Sequence, residues 1–129
     1  MKTFIAALLV ITLPFLGKAQ SPKPSWPEMK RFHQYMSTTF HPAEEGNLAP
    51  LKAKADSLYI HALLWEQSTI PPGFKPEETK KALTKLSAQC ASIQQAVTAG
   101  KDDATLTKLI TEAHDIFHHI VGECRKVED

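Results

Sequence analysis

The feature that most constrains this chain is a set of four stretches in which apolar residues recur every three or four positions. That spacing places the apolar side chains on one side of a helix, which must then be buried against another element. Proline and glycine interrupt the pattern between the stretches, and no stretch alternates apolar and polar residues as a half-buried strand does. The pattern therefore predicts an all-α protein.

The interruptions set the boundaries of the predicted helices. The four helices are expected to run from Ser25 or Pro27 to about Phe40, from Ala49 to Gln67, from Pro76 to Gly100, and from Asp102 or Asp103 through Cys124. Residues 41–50 are interpreted as a connection because they combine two prolines with a glycine and an asparagine. Four helices of this length with short connections predict an antiparallel up-down-up-down four-helix bundle.

The first 19 residues have the pattern of a signal peptide. Lys2 provides a positive start, and residues 4–16 are almost entirely apolar. The small residues Gly17 and Ala19 lie three and one positions before a cleavage point after Ala19. The apolar run is shorter than the roughly 20 residues that span a membrane as a helix. We therefore expect a periplasmic or secreted protein whose mature part, residues 20–129, forms a single four-helix domain.

Charge and motifs exclude several functional classes. The net charge is +1 for the full sequence and becomes about −1 once Lys2 and Lys18 are removed with the signal peptide. We therefore expect neither nucleic acid nor an anionic membrane as a partner of the mature chain. Because no nucleophile stands beside a histidine and no phosphate-binding loop or paired carboxylates occur, we also expect no enzymatic activity.

Both cysteines fall on predicted apolar stripes. If the third and fourth helices form a hairpin around Gly100, a rise of about 1.5 Å per residue separates Cys90 and Cys124 by about 20 Å in height. A disulfide requires Cα atoms within about 7 Å of each other. The sequence therefore predicts two unpaired thiols that behave as small buried apolar groups.

Histidine is concentrated near the end of the fourth predicted helix. His114 and His118 are four residues apart, so their side chains lie one turn apart on the same side of a helix. That spacing allows two imidazoles to hold one copper, zinc or nickel ion. Heights counted along the bundle place Met29, His33 and His61 in about the same layer. We therefore predict a transition-metal site with His33, His61, His114 and His118 as candidate ligands.

The same residues have a second interpretation, in which no cofactor is bound. Histidines at the boundary of a core can be satisfied by hydrogen bonds or water, and methionines such as Met29 and Met36 commonly fill irregular gaps. Under this hypothesis the bundle works by binding a partner. The candidate partners are a redox or metal-handling protein and a second copy of the chain, and an exposed apolar strip on the first or second helix would indicate such a homodimer.

The last two predicted helices also carry a family resemblance. An alanine-rich helix, a turn at Gly100-Lys101 and the segment His114-Asp115-Ile116-Phe117-His118 resemble the superfamily of cytochrome c-prime and the soluble periplasmic b-type cytochromes. In cytochrome c-prime this part of the last helix carries a Cys-x-x-Cys-His motif that binds haem covalently. His118 matches the axial histidine of that motif, whereas His114 and Phe117 replace its two cysteines. The resemblance therefore implies a four-helix bundle without covalent haem.

The b-type members of that superfamily bind haem without the cysteines. They use a methionine of the first helix and the histidine of the fourth as axial ligands, and the positions here that match are Met29 and His118. The resemblance thus implies haem b as an alternative cofactor and electron transfer as the alternative function. The haem alternative leaves His114 without a role, whereas the metal hypothesis makes His114 a ligand.

Overall fold

A computed structural model describes residues 25–126, and the predicted signal peptide lies outside them. The described part of the chain contains α1 (Pro27–Glu44), α2 (Ala49–Gln67), α3 (Pro76–Thr98) and α4 (Asp103–Gly122). Each helix packs against the next one along the chain, and α4 packs back on α1, although less extensively. The predicted all-α four-helix bundle is therefore confirmed. Among the described helices, none has the length and apolar character needed to cross a bilayer.

The core runs through the middle of the bundle and is built from all four helices. Aromatic rings fill its centre, where the ring of Phe32 lies 5.3 Å from that of Trp65 and 5.9 Å from that of Phe117. At one end, the ring of Trp26 contacts Trp65 and Phe74 edge-on, with centroids 5.5 and 5.0 Å away. Since buried aromatic side chains each remove a large apolar surface from water, this cluster is a major source of stability.

The first helix is longer than its sequence predicts. Residues 41–44 belong to α1 and not to a connection, although Pro42 lies among them. A proline in the last turn removes one helical hydrogen bond, and the buried side chain of Ala43 continues the apolar stripe beyond it. The helix ends at Glu44 instead, and Gly46 terminates it with a φ of 85° and an N–H that donates to the Ala43 carbonyl oxygen at 3.0 Å. The predicted end at Phe40 was therefore wrong by one turn.

The other helix boundaries agree with the predictions. Gly100 has a φ of 65°, and its N–H and that of Lys101 donate to carbonyl oxygens of the last turn of α3 at 3.1 and 3.0 Å. This pattern is a Schellman motif, which ends a helix by satisfying its free carbonyls. Asp102 then caps α4, since its carboxylate accepts a hydrogen bond from the Thr105 N–H at 2.8 Å.

Both cysteines are unpaired and buried, as predicted. Cys90 lies in α3, and burial raises the pKa of its thiol to about 12. Cys124 lies just beyond α4, where its carbonyl oxygen accepts a hydrogen bond from the Lys75 N–H at 2.8 Å. That bond and a second one from Lys126 to Gly73 fix the end of the chain beside the loop before α3.

Candidate functional site

The two histidines that lie one turn apart on α4 form a close pair at the surface. The Nε2 atoms of His114 and His118 are 3.0 Å apart, and the ring planes are inclined by 80°. At this distance, an Nε2–H of one ring donates to the Nε2 of the other when the two rings hold different tautomers. The same distance is also compatible with one shared ion: with metal–nitrogen bonds of about 2.0–2.1 Å, a 3.0 Å separation corresponds to an angle of about 95° at the metal.

The pair is held by α4 on one side and by α1 on the other. His114 is half-buried, and its ring stacks on that of Phe40 with centroids 3.7 Å apart and planes inclined by 13°. His118 is exposed, so its Nε2 is open to solvent from the outer side. Because the helix sets the spacing and Phe40 restricts the rotation of His114, the two nitrogens are pre-positioned without any loop.

The surroundings of the pair favour a neutral imidazole at His114. Burial lowers the pKa of His114, and the neighbouring His118 and the more distant His41 act in the same direction. The carboxylates of Asp115 and Glu44 raise it, but by less than burial lowers it. Because metals bind the neutral form of imidazole, a lowered pKa reduces the competition from protons at neutral pH.

Of the other two candidate metal ligands, His33 lies on α1 and lines the same groove as His118, whereas His61 lies on α2. His33 is exposed, and its ring stacks on Phe117 at a centroid distance of 5.2 Å. His61 stacks on Tyr35 at 4.5 Å and lines a groove between α1 and α2, where burial and the Arg31 guanidinium lower its pKa. Within residues 25–126, no three His, Cys, Asp or Glu side chains are placed to share one ion. The four histidines therefore do not surround one point: His33 is near His118, whereas His61 faces the groove between α1 and α2.

The two candidate haem ligands line the same groove between α1 and α4. This groove has a volume of about 310 Å³, and its lining consists of Met29, Lys30, His33, Phe117, His118 and Val121. Directly behind it, the rings of Phe32, Trp65 and Phe117 fill the interior with centroids 5.3 to 5.9 Å apart. The donor atoms suit haem b, but the packed interior holds no slot for the macrocycle. Such a haem would require α1 and α4 to separate.

Sequence reasoning missed the contribution of α1 to this site. The sequence predicts Phe40 at the end of the first helix and Glu44 in a connection, and neither position indicates a neighbour of His114. The signal that would have found them is Gly46, because a glycine three residues after the buried Ala43 marks a helix end better than Pro42 does. Extending α1 by one turn brings its last residues beside the pair.

Comparisons with known proteins assign no family to the chain. A scan against protein-family models found no match, and searches of curated proteins and of solved structures found none either. The chain is therefore classified by its fold alone, as an all-α four-helix bundle, and the histidine pair of α4 is the feature from which a function can be argued.

Proposed function

We propose that this protein is an exported four-helix bundle that binds a transition-metal ion through His114 and His118. The observation that carries the proposal is the 3.0 Å separation of the two Nε2 atoms on the surface of a well-packed helix. Two histidines at this spacing on one helix face form a recurrent metal-binding arrangement. Imidazole ligands suit copper, nickel and zinc.

A purely structural role explains the pair less well. One hydrogen bond between side chains contributes only about 0.5–1.5 kcal/mol. The exposed ring of His118 could make an equivalent bond to water, so folding gains little from directing it at His114. If the pair binds a metal, in contrast, both nitrogens are used at once. The stack on Phe40 already restricts the rotation of the His114 ring, which lowers the entropic cost of binding.

The number of ligands bears on the kind of function. Structural zinc sites are normally closed by four protein ligands, whereas sites that exchange a ligand keep positions open. The pair provides two ligands and leaves one side of the ion accessible through the exposed His118. The proposal is therefore metal binding and handling, with a metal-handling or redox protein as a candidate partner, and no catalytic role.

Metal titration of two matched variants tests the proposal. The tag-free, metal-free chain is titrated calorimetrically with Cu²⁺, Ni²⁺ and Zn²⁺ and compared with His118→Ala and His119→Ala. His119 is the control because it is also exposed on α4, and its Nδ1 lies 2.9 Å from Glu123. We expect His118→Ala to weaken binding at least about tenfold, as for the loss of one ligand, and His119→Ala to leave it unchanged. Equal affinities in all three proteins would contradict the proposal.

Haem b binding is the second candidate function, as the resemblance to b-type cytochromes implies. The observation in its favour is that Met29 and His118 line the same groove. The test is an absorption spectrum of the exported protein and of the chain after addition of haem. A Soret band that is lost in Met29→Leu and His118→Ala would support this candidate, whereas its absence would remove it.

A cofactor-free, partner-binding bundle is the third candidate. Ile60 and Leu64 favour it, because these large apolar side chains lie one turn apart on α2 and are 52% and 47% exposed. This candidate predicts that neither metal nor haem raises the melting temperature. A rise with either cofactor would argue against it, since a ligand of the folded state must stabilise that state.

A further inference from the structure

The chelate on α4 is incomplete by itself. Zinc sites take four ligands, and copper and nickel sites take four or more. The pair supplies two of them, and the described part of the chain, residues 25–126, places no third His, Cys, Asp or Glu side chain on the same ion. As far as residues 25–126 are concerned, the remaining positions are left to water or to another molecule.

The surface around the pair allows another molecule to approach closely. On α4, the exposed residues about one turn away in either direction are Thr111 and Gly122, both small. A Cβ atom added at Gly122 would meet nothing within 4 Å, so the space beside the helix is open there. The adjoining groove adds the apolar side chains of Met29 and Val121 to the same face.

We infer that a second copy of this chain completes the site, so that one metal ion joins two chains through His114 and His118 of each. This inference rests on the proposed metal binding. A two-fold axis through the ion places the same surface patch of both chains together, as in most homodimers. The second copy brings two further imidazoles of the same kind, so the ion reaches four nitrogen ligands without any other component.

The geometry of each pair fits this arrangement. Two nitrogens 3.0 Å apart subtend about 95° at the metal, and two such chelates can occupy opposite edges of one four-coordinate ion. They give a square-planar environment for Cu²⁺ or Ni²⁺ and a distorted tetrahedral one for Zn²⁺. Each chain therefore contributes a complete bidentate unit, and neither helix has to change its conformation.

The dimer is expected to depend on the metal. The patch around the pair consists of one helix face and a shallow groove, whereas stable interfaces usually bury about 1,200–2,000 Å² in total. The metal-free protein is therefore a monomer, and the coordination bonds provide the dimerisation energy.

Sedimentation velocity during a Cu²⁺ titration tests the inference, with bound copper measured in the same samples. The tag-free chain should double its mass and saturate at half an equivalent of Cu²⁺, and a chelator should reverse the change. His118→Ala should remain a monomer, and His119→Ala should dimerise like the unaltered protein. Electron paramagnetic resonance should report four nitrogen ligands on copper in the dimer.

The outcomes separate this inference from the proposed function. One Cu²⁺ per monomer that depends on His118, with two nitrogen ligands, would overturn the bridged dimer and leave metal binding by the pair intact. Absence of any His118-dependent binding would overturn both. A dimer that forms without metal, or equally well in His118→Ala, would show that another surface joins the chains and would also overturn the inference.

Discussion

The stack between α1 and α4 gives a direct test of how the site is positioned. We expect Phe40→Leu to weaken metal binding although residue 40 is not a ligand. The Phe40 ring lies 3.7 Å from the His114 ring and restricts its rotation before any ion arrives. Without the stack, His114 must be ordered on binding, at a cost of about 0.5–1.5 kcal/mol for an immobilised side chain. This cost corresponds to an affinity that is about 2- to 12-fold lower.

Calorimetric titration with Ni²⁺ measures the effect, and Phe74→Leu is the matched control. Phe74 is equally buried, but it lies in the loop before α3 and contacts Trp26 instead of the pair. Both substitutions conserve most of the apolar volume and should cost less than about 1.5 kcal/mol of folding free energy. Affinity unchanged in Phe40→Leu, or reduced equally in Phe74→Leu, would refute the positioning role of the stack.

Three further predictions concern stability. In urea denaturation, Leu86→Ala should lower the free energy of unfolding by about 2–5 kcal/mol because residue 86 is fully buried. Leu64→Ala at the surface should change the free energy of unfolding by less than about 0.5 kcal/mol. Equal effects would contradict the described core. Gly100→Ala should lower the free energy of unfolding by about 1–2 kcal/mol, since φ at residue 100 is 65°. In the same assay Gly122→Ala should not lower it, because Gly122 is helical and has open space around it. The pKa of His114 is lowered in the folded state, so the unfolded chain binds more protons. The contribution of His114 to folding stability is therefore fully present above the unfolded pKa of 6.5 and is lost as the pH falls through the folded pKa. Between pH 7.5 and 5 the melting temperature of the metal-free protein should fall less in His114→Gln, and identical pH profiles would contradict a lowered pKa of His114.

The sequence was sufficient for most of the fold because its helix boundaries are determined locally. Pro76, Gly100 and Asp102 each fix a helix end through their own backbone or side-chain properties, and the structure agrees at all three. The predicted end of the first helix was wrong because the effect of Pro42 depends on its position in the helix. In a last turn a proline removes only one hydrogen bond, and the helix continues to Glu44 because the side chain of Ala43 packs in the core.

In the candidate site, too, the features set by local helix geometry were predictable from the sequence, and those set by the packing of helices were not. The spacing of His114 and His118 depends only on helix geometry, so the sequence predicted their contact. Counting residues gave the height of His61 but not its direction around the bundle axis, and it lies between α1 and α2. The stack of His114 on Phe40 could not be predicted because it depends on how α1 and α4 pack.

The position of both proposed ligands on one helix decides how the proposed metal binding would couple to folding. A site assembled from several helices would make the metal a requirement for the fold, whereas His114 and His118 need only the helical conformation of α4. In the unfolded chain the three intervening residues must be ordered before both rings can bind, at about 1–2 kcal/mol per residue. We therefore expect metal to bind the folded chain more tightly and to raise its melting temperature, although binding to the unfolded chain would reduce this gain. Because the buried core includes neither His114 nor His118, we expect the metal-free protein to be fully folded. Loss of helix on chelation, measured by circular dichroism, would contradict a site confined to α4.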